Sequence, residues 1–304
     1  MFKKILSVVV IVILFVTLAH AQIVRVDSLS SWKKSFKFGV NLNQASFSSN
    51  WQGGGVNSIG LNTLLNYKVG YRKDKVTWDN EIDFLFGFVN NDGQGYRKTT
   101  DRIFLDTKYG HGLNEKWGLF VSGNFLTQFA KGYTYNKDAN GLEVATFRSS
   151  FVAPAFLTTA IGFEWIPREY FKVRFSPFAP RLTIVKDITR FVSTENQTPY
   201  GVDSTETVRF EWLAAQILAE FDKDIAKNLN LKWRYLLFAN YETLAMKTID
   251  HRFDLNLTAK VNNFVNVSFG GILLYDYDQD SGAQVSQLLN LGFLYTFQNY
   301  EDKK

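Results

Sequence analysis

Apolar and polar residues alternate along most of the chain, in a pattern that repeats from residue 36 to residue 297. In the last repeat, Leu291, Phe293, Tyr295 and Phe297 occupy every second position, and the positions between them are mostly polar or small. Successive side chains of a β-strand point to opposite faces of the sheet. The spacing therefore predicts strands with one apolar and one polar face, and an all-β fold.

The pattern divides into twelve predicted strands, an even number, as in barrels made from a single bacterial chain. Their connections alternate between long polar segments, such as 130–153 and 186–206, and tight turns, such as 72–75 and 262–263. Long loops on one side and short turns on the other are typical of outer-membrane barrels. We therefore predict a transmembrane antiparallel up-and-down β-barrel. The predicted strands are 36–45, 58–71, 76–88, 101–110, 117–129, 154–166, 170–185, 207–221, 229–241, 248–261, 264–277 and 285–297.

The apolar faces of ten predicted strands carry no Lys, Arg, Asp or Glu. A charge at mid-bilayer on the lipid face costs about 2–4 kcal/mol, so its exclusion fits a membrane barrel. Aromatic residues also lie at both strand ends, with Trp78 and Trp117 near turns and Trp212 and Tyr241 near loops, as two interfacial girdles require. A soluble β-sandwich is the alternative, but its apolar faces are rarely this long and aromatic.

Two predicted strands are irregular. Pro177 and Pro180 interrupt the seventh, and because proline cannot donate to a ladder we expect a bulge or kink there. In the eighth, the apolar residues occupy even-numbered positions up to Trp212 and odd-numbered positions from Ala215 onward. One inserted residue near Leu213 would explain this change of face.

The N-terminus has the three parts of a secretory signal peptide. Lys3 and Lys4 precede an apolar run at 5–18, and a small-x-small cleavage site ends at Ala21. An uncleaved signal anchor is the alternative. With export to the outer membrane, four segments are expected: a signal peptide (1–21), a short periplasmic segment (22–35), the barrel (36–297) and a polar tail (298–304).

Composition excludes several other classes. The chain has no Cys, which excludes disulfides, a lipid-anchored cysteine and thiolate metal sites. Its formal charge of +5 is mild and the basic residues are scattered, so no nucleic-acid partner is expected. No linker or low-complexity stretch divides the chain, which predicts one domain.

The C-terminal strand carries a polar-x-Gly-x-x-aromatic-x-aromatic pattern at Asn290, Gly292, Tyr295 and Phe297. It resembles the insertion signal of outer-membrane barrels, and the resemblance implies recognition by the barrel-assembly machinery. The tail after Phe297 departs from the many such proteins that stop at the final Phe.

A second, broader resemblance covers nearly the whole mature chain. The segment 50–58, with Trp51 and the glycines Gly53, Gly54 and Gly55, is followed by Trp-Asp-Asn-Glu at 78–81. The combination is similar to a family of Bacteroidetes-type barrels described only as a domain of unknown function, which supplies no activity. The glycines lack the Lys-Ser/Thr and the helix of a phosphate-binding loop. We expect them to shape an extracellular loop that folds inward.

The polar faces carry opposite charges on neighbouring predicted strands. Twelve strands give a backbone radius of roughly 12 Å, so inward side chains leave a narrow bore at most. Opposite charges across strands attract, and such a ladder can line a bore or close it. The predicted lumen-lining ladder is Asp79, Glu81, Asp83, Arg102, Asp106, Lys108, Lys232, Arg234, Asp250, Arg252 and Asp254.

Catalytic and metal-binding candidates are few. His111 lies in a turn and His251 on an outward face, with no Ser in its strand to act as a nucleophile, so an interfacial His is favoured. Asp276, Asp278 and Asp280 alternate like calcium ligands, but the glycine and glutamate of an EF-hand loop are missing, so a solvated loop tip is favoured. We predict neither a catalytic site nor a cofactor.

These expectations lead to a non-enzymatic outer-membrane barrel, with passage of small polar solutes as the first functional hypothesis. A non-conducting barrel that presents loops 130–153 and 186–206 to a partner is the second, and a lipid-modifying enzyme is the third. The expected partners are outer-membrane lipids, lipopolysaccharide and the assembly machinery. The sequence does not indicate an oligomeric state.

Overall fold

The computed structural model describes residues 31–46, 48, 56–192, 197–262 and 265–299, and these form an almost entirely β structure. Sixteen strands are described: β1 (Trp32–Ala45), β2 (Ser58–Lys73), β3 (Val76–Asn91), β4 (Gly95–Gly112), β5 (Trp117–Thr127), β6 (Gly132–Lys137), β7 (Glu143–Ser149), β8 (Ala155–Arg168), β9 (Phe171–Phe178), β10 (Arg181–Ile184), β11 (Val208–Glu211), β12 (Ala214–Ala226), β13 (Leu229–Asn240), β14 (Ile249–Lys260), β15 (Val265–Asp276) and β16 (Asp280–Gln298). Three short 3₁₀ helices lie in the connections, at Ile188–Arg190, Pro199–Gly201 and Met246–Thr248.

Twelve of the strands form a closed antiparallel ring. The pairing runs from β8 through β5, β4, β3, β2 and β1 to β16, and then through β15, β14, β13 and β12 to β9. β8 and β9 form a hairpin of consecutive strands, and the pairing of the first strand, β1, with the last, β16, closes the ring. The predicted twelve-stranded up-and-down barrel is therefore confirmed.

The two irregular strands are interrupted where the sequence predicted. The seventh strand of the ring is β9 followed by β10, and the break between them contains Ala179 and Pro180. The eighth is β11 followed by β12, with Trp212 and Leu213 between them. The pairing partners stay the same beyond both interruptions, because β10 still pairs with β8 and with β11.

A glycine accommodates the bulge in the seventh strand. Between Ile161 and Phe163 of β8, the partner β9 advances from Phe178 to Phe175, which is one residue more than β8 advances. The extra backbone crowds Gly162, where a Cβ atom would lie 1.9 Å from the carbonyl oxygen of Phe175. A residue without a side chain is therefore required opposite the bulge.

Some predicted connections are strands instead. The segment 89–100, predicted as a long loop, is mostly the paired end of β3 and β4, which join through a tight turn at 92–94. The loop 130–153 contains the hairpin β6–β7, and β1 starts at Trp32 rather than at residue 36. Polar residues such as those at 95–100 lack the apolar face on which the sequence prediction depended, although the ladder hydrogen bonds extend through them.

The long loops 130–153 and 186–206 pack against each other. Tyr200 donates a hydrogen bond from its hydroxyl to the carbonyl oxygen of Arg148, at 2.7 Å, and the rings of Phe147 and Phe191 lie 5.0 Å apart. Burial raises the pKa of the Tyr200 phenol, which therefore stays protonated as a donor. The buried apolar residues between the loops and the adjoining strand end are Ala153, Val185, Ile188 and Val202.

The two faces of the ring differ as predicted. On β3, β4 and β5, the outward side chains of Ile82, Leu105 and Val121 are exposed, whereas the inward side chains of Asp83 and Ser122 are buried. The barrel therefore presents its apolar residues to the outside and its polar residues to the interior. No helix among the described residues is both long enough and apolar enough to cross a membrane.

Candidate functional site

The interior of the ring gathers most of the charged side chains that the sequence singled out. All residues of the predicted ladder occupy inward positions on β3, β4, β13 and β14, as the strand registers show. The structure brings the two halves of the ladder onto opposite walls, because β3 and β13 lie six places apart around the ring of twelve.

Ion pairs, and hydrogen bonds from an asparagine side chain, connect the charged residues of the first wall, on β3 and β4. Lys108 lies opposite Asp79 in register, with its Nζ 3.4 Å from Oδ2, and Arg102 pairs with Asp83. The carboxylates of Glu81 and Asp83 both accept hydrogen bonds from Asn66 of β2, at 2.7 and 3.0 Å. In this wall the opposite charges do connect neighbouring strands.

The second wall, on β13 and β14, pairs differently from the prediction. Arg234 and Asp254 are opposite in register, but the carboxylate of Asp254 accepts its hydrogen bonds from Arg252, two residues along the same strand. Arg234 instead approaches Glu220 of β12, at 3.8 Å. Side chains on one face of a strand are also neighbours at i and i+2, so register alone did not identify the partner.

A buried cluster that sequence reasoning did not identify joins the first wall to the next strands. Glu164 of β8 accepts hydrogen bonds from Lys108, at 2.6 and 2.7 Å, and from Arg174 of β9, at 3.2 Å. The three side chains are only 8%, 4% and 8% exposed, respectively. Both new members occupy inward positions, so the same alternation rule could have found them.

Two arginines reach across the interior. The Arg234 guanidinium lies 5.1 Å from the ring centroid of Phe104, on a strand five places away around the ring. Nearer the end with the long loops, Arg181 of β10 donates a hydrogen bond to Asp250 of β14, at 2.9 Å, and lies 3.3 Å from the ring centroid of Phe238. These contacts narrow the bore at two levels.

The interior is unevenly filled. Beside β5 and β8, Phe120 and Ala160 pack with Ala179 in a buried apolar cluster. Toward β2, the inward side chains of Lys68 and Arg72 are 39% and 46% exposed, although Lys68 pairs with Glu81 and Arg72 with Asp79. Water therefore reaches charged groups along one side of the interior while the other side is packed.

The mouth of the barrel at the end with the long loops carries a further ion pair. Arg209 of β11 pairs with Asp278, in the turn between β15 and β16. Gly201 of the loop 186–206 lies against this pair with φ +72°, and a Cβ atom there would be 1.7 Å from the Arg209 guanidinium. Only glycine fits both this backbone conformation and this space.

The outward histidine has an aromatic partner. The Tyr235 hydroxyl and the Nδ1 atom of His251 are 2.8 Å apart, and the Tyr275 ring lies on the other side. Both tyrosines occupy outward positions, Tyr235 on β13 and Tyr275 on β15, the two strands that flank the strand of His251. This is the arrangement of an interfacial aromatic row, and within the described ranges no hydrogen bond joins a serine hydroxyl to the imidazole.

The three loop aspartates point to separate partners. Asp276 accepts a hydrogen bond from the side chain of Gln279, Asp278 pairs with Arg209, and Asp280 accepts one from the backbone of Gly282. Across the described parts of the chain, no group of three or more His, Cys, Asp or Glu residues could hold a metal ion.

The remaining sequence motifs fall in two places. Asn290, Gly292, Tyr295 and Phe297 lie on β16, where Tyr295 pairs with Phe38 and Phe297 with Phe36 of β1. The Trp51, Gly53, Gly54 and Gly55 motif lies outside the described residues, as does the predicted signal peptide. The roles proposed for these motifs stay predictions.

Comparison with known families gives one match. A protein-family model described as a protein of unknown function (DUF3078) matches residues 42–133, which include β2, β3, β4 and β5. No curated protein matches the chain.

Several solved outer-membrane barrels are similar in structure. The COG4313 outer membrane channel from Pseudomonas putida F1 is 12% identical, with a TM-score of 0.40 over 88% of this chain and 96% of the channel. The NanC porin is 9% identical, with a TM-score of 0.39 over 86% and 98%. The translocator domain of the autotransporter NalP from Neisseria meningitidis is 10% identical, with a TM-score of 0.36 over 88% of each chain. At TM-scores of 0.40 or less, these similarities carry no functional argument, and the fold assignment depends on the strand pairing.

Proposed function

We propose that this protein is an outer-membrane β-barrel that passes small polar solutes through a narrow, charge-lined bore. The observation that carries the proposal is the water-accessible series of charged side chains that extends along the interior of a closed ring, from the turns to the loop end. The series includes Arg72 and Lys68 near the turns, Arg102 and Arg234 in the middle, and Arg209 at the mouth, all between 23% and 46% exposed.

The outer surface supports a membrane position. Large apolar side chains cover it, including Phe163 and Phe175, and stacked aromatic pairs lie near the turns, such as Trp117 with Trp165. A closed barrel satisfies all backbone groups between strands, which is the requirement for crossing a bilayer with strands. Export by a signal peptide, insertion through the C-terminal motif and kinship with Bacteroidetes-type barrels are parts of the same proposal.

A non-conducting barrel is the second candidate, and one observation favours it. Arg234 over Phe104 and Arg181 bound to Asp250 cross the interior, so the side chains could close the bore between them. In that case the packed loops 130–153 and 186–206 would be the functional surface. The absence of enzymatic activity stays a prediction.

Single-channel recording in a planar bilayer separates the two candidates. Folding is verified first by resistance to SDS without heating and a mobility shift on boiling. Discrete current steps are expected for the native chain, and Arg234→Ala should enlarge them because the side chain that reaches Phe104 is removed. Arg97→Ala is the matched control, because Arg97 binds Glu143 of the loop hairpin. Folded protein that inserts but gives no current in either the native or the Arg234→Ala form would refute the channel.

A further inference from the structure

The cations of the interior are more exposed to the bore than the carboxylates with which they pair. This holds for every described ion pair between neighbouring strands of the ring outside the buried Lys108–Glu164–Arg174 cluster. The difference is largest for Arg102 and Asp83, at 30% and 11%, and smallest for Arg234 and Glu220, at 28% and 22%. The other pairs are Lys68 with Glu81, Arg72 with Asp79 and Lys172 with Glu220. The accessible surface of these pairs is therefore mainly cationic.

One continuous part of the wall carries basic residues and almost no acidic ones. It consists of β2, β1, β16 and β15, which are consecutive in the ring. β1 and β2 contain no Asp or Glu, and on β15 and β16 the only ones are Asp276 and Asp280, at the ends near the long loops. Lys37 is exposed at an inward position of β1 and adds to Lys68 and Arg72 of β2. A solute that follows this wall meets cations and neutral groups.

A single carboxylate serves several cations where Arg234 narrows the bore. Glu220 of β12 lies 3.8 Å from Arg234 and 3.2 Å from Lys172, and it is the only ion-pair partner of either residue within the described ranges. Arg174 approaches the same carboxylate at 3.6 Å, although it also binds Glu164. One negative charge cannot neutralise these cations fully, so positive charge remains at this level.

Lys232 adds a cation with no close partner. It is half-buried two residues from Arg234, on the same inward face of β13, and no described carboxylate lies within 4 Å of its ammonium group. Asp222, opposite it in register, accepts a hydrogen bond from an asparagine instead. Lys68, five places away around the ring, repels Lys232, and Glu81 beside Lys68 offsets only part of this repulsion. An anion in the bore would be attracted to both ammonium groups.

The end with the long loops has the opposite bias. There Asp250 and Asp278 are more exposed than their partners Arg181 and Arg209. Salt screens exposed charges over about 8–10 Å at physiological ionic strength, so charges at an open mouth act weakly on ions further along the path. Inside a narrow bore, walls of low dielectric constant focus the field of the lining charges. The narrow part should therefore decide which ions pass.

We propose that the bore selects anions, that Lys68, Lys232 and Arg234 determine this selectivity, and that the solutes are small oxyanions, carboxylates or phosphates. The proposal rests on the channel function proposed above and specifies its class of solute. Ammonium and guanidinium groups donate charge-assisted hydrogen bonds to carboxylate and phosphate oxygens, and lining Lys and Arg residues favour anions in pores. Carboxylates and phosphates share this chemistry, so the experiment includes both.

The reversal potential of single channels in a KCl gradient measures the selectivity. The native barrel should pass chloride several-fold better than potassium. Citrate and phosphate are then added in turn, with glucose as the uncharged control. Reduction of the chloride current by citrate alone would assign carboxylates, and reduction by phosphate alone would assign phosphates. If neither ion reduced the current more than glucose does, oxyanion solutes would be refuted.

Substitutions of opposite charge separate electrostatic selection from a change of bore size. Lys68→Gln and Lys232→Gln should each lower the chloride-to-potassium permeability ratio, whereas Glu81→Gln should raise it. Simple widening of the bore would move all three variants towards equal permeability. Lys137→Gln removes the same charge from the exposed loop hairpin and should leave the ratio unchanged. A heat-modifiable band confirms that each variant folds.

Acetylation of lysines by acetic anhydride, followed by mass spectrometry, tests the site without an ion current. Citrate should protect Lys68 and Lys232 and leave Lys137 reactive. A conducting barrel that prefers potassium, or whose permeability ratio is unchanged in Lys68→Gln and Lys232→Gln, would refute anion selection and leave the channel standing. A folded barrel that gives no current but shows this protection would refute the channel and retain the anion site. A silent barrel without protection would refute both.

Discussion

Replacing Glu164 by glutamine should destabilise the barrel more than any exposed ion-pair substitution. The carboxylate of Glu164 is the acceptor for both Lys108 and Arg174, and all three side chains are nearly inaccessible to solvent. Glutamine has almost the same shape, so packing is preserved while the negative charge is removed. Two buried cations then remain close together, balanced by Asp79, 3.4 Å from Lys108, and by Glu220, 3.6 Å from Arg174.

The expected magnitude follows from the burial and the distances. Unit charges about 3 Å apart attract by roughly 5 kcal/mol at an effective dielectric constant of about 20. Much of this attraction offsets the desolvation of the ions, and removal of one partner from a buried pair costs about 3–5 kcal/mol. We expect a loss of that size in the free energy of unfolding, reduced to the extent that Asp79 and Glu220 compensate.

Equilibrium unfolding by guanidinium chloride in lipid vesicles, followed by tryptophan fluorescence, measures the loss. Glu143→Gln is the matched control, because its partner Arg97 lies 2.6 Å away but the Glu143 side chain is 45% exposed. An exposed pair contributes about 0–1 kcal/mol, so the control should remain close to the native value.

The reasoning would be refuted if Glu164→Gln and Glu143→Gln destabilised the barrel equally. It would also fail if the simultaneous replacement of Lys108, Glu164 and Arg174 by Met, Leu and Met cost more than Glu164→Gln alone. The triple replacement removes the two cations that Glu164→Gln leaves without their shared partner, while Asp79 keeps its pair with Arg72 and Glu220 its pair with Lys172. Exchange of buried ions for apolar side chains of similar volume is often neutral or stabilising.

Two further predictions concern the bulge and the loops. Gly162→Val should prevent the barrel from reaching its heat-modifiable folded form, because the new Cβ would lie 1.9 Å from the Phe175 carbonyl oxygen. Gly123→Val is the control and should fold normally, because no atom lies within 4 Å of the position of its Cβ. Equal folding yields of the two variants would contradict the bulge geometry. Tyr200→Phe removes the hydrogen bond to the Arg148 carbonyl, a loss of about 1 kcal/mol, and should accelerate trypsin cleavage after Arg148 and Arg190 without changing the unfolding of the barrel. An unchanged cleavage rate would show that the loops are held together without this bond.

The register of the interior illustrates how far sequence reasoning could go. Alternation placed Asp79 and Lys108 on the inner face, and their contact across β3 and β4 agrees with the expected cross-strand attraction. The same rule did not predict that Asp254 would bind Arg252 of its own strand, because several cations lie within reach and local side-chain geometry selects among them. Glu164 and Arg174 were missed although their positions follow the same alternation.

The amino-acid sequence by itself determined the fold class, the strand count and the outward and inward faces. These properties follow from the alternation of apolar and polar residues along each strand and from its interruption by proline or by an inserted residue. Both features are local in the chain. The register of the closure between β1 and β16, the packing of the two long loops and the buried Lys108–Glu164–Arg174 cluster were decided only by the tertiary structure. Each of these brings together residues that are distant in sequence, and the curvature and stagger of the closed ring set which of them meet.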